Sequence, residues 1–81
     1  MNVHDLNRND SIVCQVKGHN REGCFLSIIG LDEKPIVRIF DLCLPTGSVV
    51  LASIRKMSTD RRYLKVSLDS IIYSNDNDFA A

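Results

Sequence analysis

Acid–base chemistry in this sequence would have to come from Asp60, Asp69 or the adjacent Asp32 and Glu33. A working carboxylate pair must flank its substrate at a fixed separation, with each group in reach of the proton it moves. Asp32-Glu33 falls in a connection and Asp69 at a strand end, so neither makes such a pair. His19 has no nucleophile or carboxylate placed to work with it. The chain contains no Gly-rich phosphate loop, no H-x-x-H or C-x-x-C metal spacing and no nucleophile elbow. Cys24 is the one thiol beside a glycine, and the alternation around it turns it inward. The chain is too short to build a substrate cleft easily. The expectation is a domain that is no enzyme and needs neither cofactor nor metal.

Charge points weakly toward an anionic ligand. The formal net charge is zero, yet residues 11–70 carry nine Lys or Arg against six Asp or Glu, while both ends are acidic. The three cysteines, Cys14, Cys24 and Cys43, form an odd set without paired spacing, which fits buried thiols in a reducing compartment better than disulfides or zinc. No apolar run is long enough to span a bilayer, and the N-terminus lacks the basic and apolar regions of a signal peptide. Asn9-Asp10-Ser11 fits the glycosylation acceptor pattern, but without a secretory signal it reads as a chance match. An intracellular setting, cytoplasmic or nuclear, and no membrane partner are therefore expected.

These residues need elements to hold them, and 81 residues allow one domain with one core. A small closed barrel is economical at this size and also removes exposed strand edges. The apolar residues alternate accordingly. Ile12, Cys14 and Val16 face in, with Gln15 and Lys17 out. After a polar turn ending at Gly23, Cys24, Leu26 and Ile28 face in, with Phe25 and Ser27 out. Pro35 opens a third strand, where a missing ladder donor is tolerated; Val37 and Ile39 face in, Ile36 and Arg38 out. Asp41 to Leu44 could form one helical turn before Pro45-Thr46-Gly47. A long fourth strand sets Val50, Ala52, Ile54 and Met57 inward and Leu51, Ser53 and Arg55 outward. The fifth sets Leu64, Val66 and Leu68 inward and Tyr63, Lys65 and Ser67 outward. Five short strands about ten residues apart predict an all-β barrel or sandwich. Residues 1–9 read as a polar lead-in, 10–73 as the domain and 74–81 as a mobile tail.

Four stretches narrow the choice of fold. Glu22-Gly23-Cys24-Phe25-Leu26-Ser27-Ile28 resembles the "aromatic-Gly-small-Phe-aliphatic-x-aliphatic" second strand of S1 RNA-binding domains. Pro35-Ile36-Val37-Arg38-Ile39-Phe40-Asp41-Leu42 is similar to that family's "Gly-Leu-Val-His-x-Ser-Glu-Leu" third strand and turn. Gly47-Ser48-Val49-Val50 through Ile54, then Leu64-Lys65-Val66-Ser67-Leu68, resembles its "Gly-x-x-Val … Ile-x-Leu-Ser-Leu" ending. Asn9 to Val16 matches "Gly-Asp-x-Val-x-Gly-x-Val" in polar and apolar rhythm. The resemblance spans about residues 9 to 69, in order and spacing. It implies a five-stranded Greek-key barrel of the OB-fold, S1 type, with a short helical turn between strands 3 and 4.

The same resemblance implies where a ligand would lie. S1 domains hold single strands across strands 2 and 3, between the loops joining strands 1–2 and 4–5. Rings stack on bases and cations track phosphates. Phe25 would stack a base, Arg38 would reach base or phosphate, and Arg61, Arg62 and Lys65 would hold the backbone. Tyr63 offers a second ring, and Lys17 and Arg21 line the opposite loop. Glu22 stands where the family has an aromatic, Arg38 where it has histidine and Ser58 where it commonly has aspartate. Affinity for RNA alone is therefore expected to be weak, with avidity supplied by neighbouring domains.

Two readings follow. The first is a non-catalytic single-stranded RNA-binding module, an accessory domain of an RNA-processing, decay or translation protein, working beside other protein domains of a larger RNA machine. The second is a protein–protein adaptor that kept the barrel and lost the RNA face, using Ile36, Leu51 and Phe40 as an outward apolar patch.

Overall fold

Alternation of apolar and polar residues builds five strands: β1 Ser11–Asn20, β2 Gly23–Ile28, β3 Ile36–Phe40, β4 Val49–Met57 and β5 Tyr63–Tyr73. A computed structural model describes residues 2–75 of the chain. The strands close into a barrel in the order β1-β2-β3-β5-β4, with β4 joined back to β1. All pairs are antiparallel except β3 with β5. No helix among the described residues is long and apolar enough to cross a membrane.

The inward residues of every strand meet in one core. Cys14, Val16, Cys24, Val37, Val50, Ala52, Ile54 and Leu64 are almost wholly buried, and Met57 and Leu68 pack against them half-buried. Burial pushes the Cys14 thiol up to about 12, so it sits in the core as a neutral apolar group. Cys24 is also raised, chiefly by burial. Its Sγ donates to the Leu42 carbonyl and accepts from the Leu44 amide, each at 3.0 Å, and so ties down the connection after β3.

That connection is not a helical turn. From Asp41 to Pro45 the backbone is a bend and irregular chain, and a turn follows at Thr46-Gly47, closed by the Ser48 amide donating to the Pro45 carbonyl at 3.1 Å. Asp41 takes φ +61°, a left-handed conformation from which a right-handed helix cannot start, and its amide donates to the Glu22 carbonyl. Pro45 further disfavours helix at Leu44. The chain instead drops Leu44 into the core.

Both ends of the described chain are tied to the barrel. Residues 1–9, read as a polar lead-in, hold a 3-10 turn at Val3–Asp5, capped by Asn2, and bury Val3 and Leu6. The expected tail begins as an ordered segment, with the Asn75 amide donating to Ser48 Oγ at 3.0 Å and its side-chain amide to the Thr46 carbonyl at 2.9 Å. Residues 76–81 of that tail lie outside the described residues. β1 and β5 also run further than the alternation predicts, to Asn20 and Tyr73.

Candidate nucleic-acid interface

On β2 the core claims Cys24 and Leu26, so Phe25 between them must point outward. The ladder sets Phe25 beside Arg38 on β3, and Phe40 follows two residues later on the same face. The Arg38 guanidinium carbon lies 4.4 Å from the Phe25 ring centroid and 4.8 Å from that of Phe40. A planar cation against two ring faces is attracted by their quadrupoles. Arg38 also pairs with Glu22 at 3.4 Å and donates to Asn20 Oδ1 at 3.3 Å. Its side chain is only 12% exposed, and its Nε is buried with no hydrogen-bond partner among the described residues. Arg38 is therefore a fixed part of the surface, not an arm free to reach outward. Glu22 answers its charge.

Phe25 remains 38% exposed. On its other side the cross-strand neighbour is Gly18, where even a Cβ would meet nothing within 4 Å. At that position β1 offers the ring no side chain. The two rings and the guanidinium together make a stacked platform whose most exposed member is Phe25.

Cations continue the platform across the sheet. Arg38 is in register with Lys65 on β5, whose Nζ lies 5.3 Å from the Phe40 centroid. Lys65 in turn is opposite Lys56 on β4. Thus Phe25, Arg38 and Lys65 of the expected set come together. Phe40 and Lys56 join them, and sequence reasoning did not place either in the site. The signal for Phe40 was present, since period two sets it on the face of Arg38. For Lys56 strict alternation points to the core, and only the inward placing of Met57 signals otherwise.

The other expected residues are spread around this centre. Tyr63 is exposed beside Ile36 at the β4–β5 end of the face. Lys17, at the β1 bulge, donates to Gln15 Oε1 at 3.0 Å, and Arg21 stands exposed in the β1–β2 turn. Arg62 is exposed in the β4–β5 loop, whereas Arg61 is committed elsewhere. With φ +59°, Arg61 turns its guanidinium under the N-terminal turn, donating to the carbonyls of Val3, His4 and Leu6. These bonds pin the lead-in to the β4–β5 loop. Arg61→Gln is expected to lower stability by about 1.5–3 kcal/mol, the range for hydrogen bonds that involve a charged group, while Arg62→Gln stays near neutral. Urea melts of the two variants measure the difference.

The β4–β5 loop is organised by Ser58 and Asp60. Ser58 Oγ donates to Asp60 Oδ1 at 2.7 Å and accepts from the Tyr63 amide at 3.0 Å. The Ser58 hydroxyl, then the Arg62 amide, hold the Asp60 carboxyl below the usual range. Asp60 thus serves the turn that presents Arg62 and Tyr63. Glu33, whose carboxylate accepts from the Val3 amide, and Asp60 flank a cleft of about 690 Å³ floored by Val3, Pro35 and Ile36. Comparison with family models, curated proteins and solved structures finds no match to this chain.

Proposed function

We propose that this barrel is an OB-fold of the S1 type and acts as a non-catalytic module that lays single-stranded RNA across β2, β3 and β5. The observation that carries the reading is the Phe25–Arg38–Phe40 platform, with Lys65 beside it. An unpaired base offers a flat π face that such a platform can take, and base stacking on a protein ring contributes about 1–3 kcal/mol per base. The strand order with parallel β3 and β5 supports the same reading, as does the placing of the platform between the β1–β2 and β4–β5 loops. The Glu22–Arg38 pair leaves little free charge at the centre of the platform, so ring stacking must carry much of the affinity there.

Titrating labelled protein with oligouridine at low salt should move the amides of residues 23–28, 36–40 and 63–65. Phe25→Ala should weaken binding by about 5–100-fold, equivalent to one lost base stack, without unfolding a barrel in which the ring is outside the core. An absence of shifts at submillimolar RNA would remove this function from the isolated barrel.

A second reading, the protein adaptor, has one observation in its favour on a different face. Ile29 in the turn after β2, Val13 on β1 and Leu51 on β4 adjoin, where the Ile29 amide donates to the Val13 carbonyl and Leu51 is opposite Val13. Ile36 and Phe40, at opposite ends of β3, do not join them. An adaptor would lose its partner on Leu51→Asp and keep it on Phe25→Ala.

A further inference from the structure

We infer that Arg55, Lys56 and Lys65 form a seat for the phosphodiester backbone of a single strand, on the β4–β5 side of the platform. The inference rests on the RNA reading for its strand and adds the place where that strand's charge is met. Along β4 the inward positions are Val50, Ala52 and Ile54, so simple alternation sends residue 56 inward as well. A bulge intervenes. Ile54 is opposite Val66, yet Lys56 is opposite Lys65 and Met57 opposite Leu64. One extra residue on β4 returns Met57 to the core side and leaves both Arg55 and Lys56 exposed. Bulges commonly re-aim side chains in this way, and here the result is three cations on one patch of outer surface.

That patch is unfavourable as it stands. Like charges directly opposite on paired strands destabilise the ladder, and Lys56 and Lys65 are such a pair. Among the described residues no carboxylate pairs with either lysine or with Arg55. Arg55 Nε is held by Ser67 Oγ at 2.8 Å, which fixes its direction without neutralising it, and Asp69 accepts from the Ser53 hydroxyl and makes no ion pair with Arg55 among the described residues. An anion lying between the strands would convert repulsion into attraction for all three.

Position says which anion. Lys65 touches the platform through the Phe40 ring and stands in register with Arg38, so the seat begins where the stacking surface ends. A strand whose bases lie on Phe25 and Phe40 can carry its phosphates over Lys65 and Lys56, across the direction of the β-strands. The bases supply the flat contact and the backbone supplies the charge.

The test uses the whole chain with three probes: oligouridine, an abasic sugar-phosphate strand of equal length, and inorganic tripolyphosphate. The abasic strand should shift the amides of residues 55, 56 and 65 while leaving residue 25 in place, and Lys56→Gln should abolish those shifts. With oligouridine, Lys56→Gln should reduce the slope of log affinity against log salt by about 0.7, the value for one phosphate contact on a single strand. Phe25→Ala should leave that slope unchanged. Lys56→Gln should also melt no lower than the parent, since it removes a repulsion. If oligouridine binds and both Lys56→Gln and Lys65→Gln keep the parental slope, the seat is wrong and the RNA reading survives. If the abasic strand engages residues 56 and 65 as tightly as oligouridine, the seat stands and base recognition fails. Tripolyphosphate binding as tightly as the abasic strand would overturn the assignment to a strand, and no response to any probe would overturn both.

Discussion

Replacing Gly23 by alanine is expected to lower the melting temperature by about 15 °C or more, equivalent to roughly 3 kcal/mol or above in a domain of this size. Gly23 opens β2 with φ +153°, and a Cβ built there would lie 1.9 Å from the Ile39 carbonyl oxygen and 2.9 Å from the Phe40 Cα. Those are backbone atoms of the paired strand, so no side chain can swing aside. The β2–β3 ladder would have to part at its Gly23–Phe40 end. Parting it loosens the hydrogen bonds at the mouth of the barrel and the fit of Cys24 against the chain at Leu42 and Leu44. In a domain with a total stability of about 4–12 kcal/mol this is a quarter or more of the whole. Gly18→Ala is the control, because its Cβ would meet nothing within 4 Å. Thermal melts followed by circular dichroism compare the two, and a Gly23→Ala protein melting within about 2 °C of the parent would refute the close approach. The same approach matters for the site. It draws β3 against β2 closely enough for Arg38 to reach the ring of Phe25.

How much of this was legible in the sequence depends on how local the cause was. The core was legible because period two is a local rule. Cys14, Leu26, Val37, Ile54 and Leu64 are buried as their neighbours' polarity predicts. Phe25 and Arg38 were legible as outward residues for the same reason, but their contact was not, since it depends on the register between β2 and β3. Lys56 was only half legible: an inward Met57 requires a shift in the alternation, but no glycine or proline marks where the bulge falls. Arg61 was read as a ligand contact because a basic turn looks alike whether its cations face solvent or carbonyls. Only the fold of residues 3–6 beneath it decides. The expected helical turn after β3 failed at one dihedral angle, that of Asp41. Apolar Val3 and Leu6 in an otherwise polar run were the one available sign that the lead-in is tied down.

On the RNA reading, Arg38→Ala should cost more affinity than loss of either ring, about 100-fold. The guanidinium lies against Phe25 and Phe40 together, so its removal frees both rings to leave the geometry in which they form one surface. Loss of a stacking plane contributes about 1–3 kcal/mol. A second effect adds to it. Glu22 is 67% exposed and paired with Arg38, so the substitution leaves an uncompensated carboxylate at the edge of the platform, where it repels an anionic strand. These two parts can be separated. Glu22→Gln added to Arg38→Ala should restore the electrostatic share and leave the stacking share lost. Arg38→Lys keeps the charge but replaces a plane with a point, so it should behave like the double variant at low salt and show the parental salt slope. If Arg38→Lys instead binds as well as the parent, Arg38 acts as a charge and the platform is not the recognition surface. The barrel should remain folded throughout, because the Arg38 side chain lies on the outer face and the core residues on either side, Val37 and Ile39, are untouched. Binding measured by fluorescence anisotropy across a salt series therefore reads recognition and not stability.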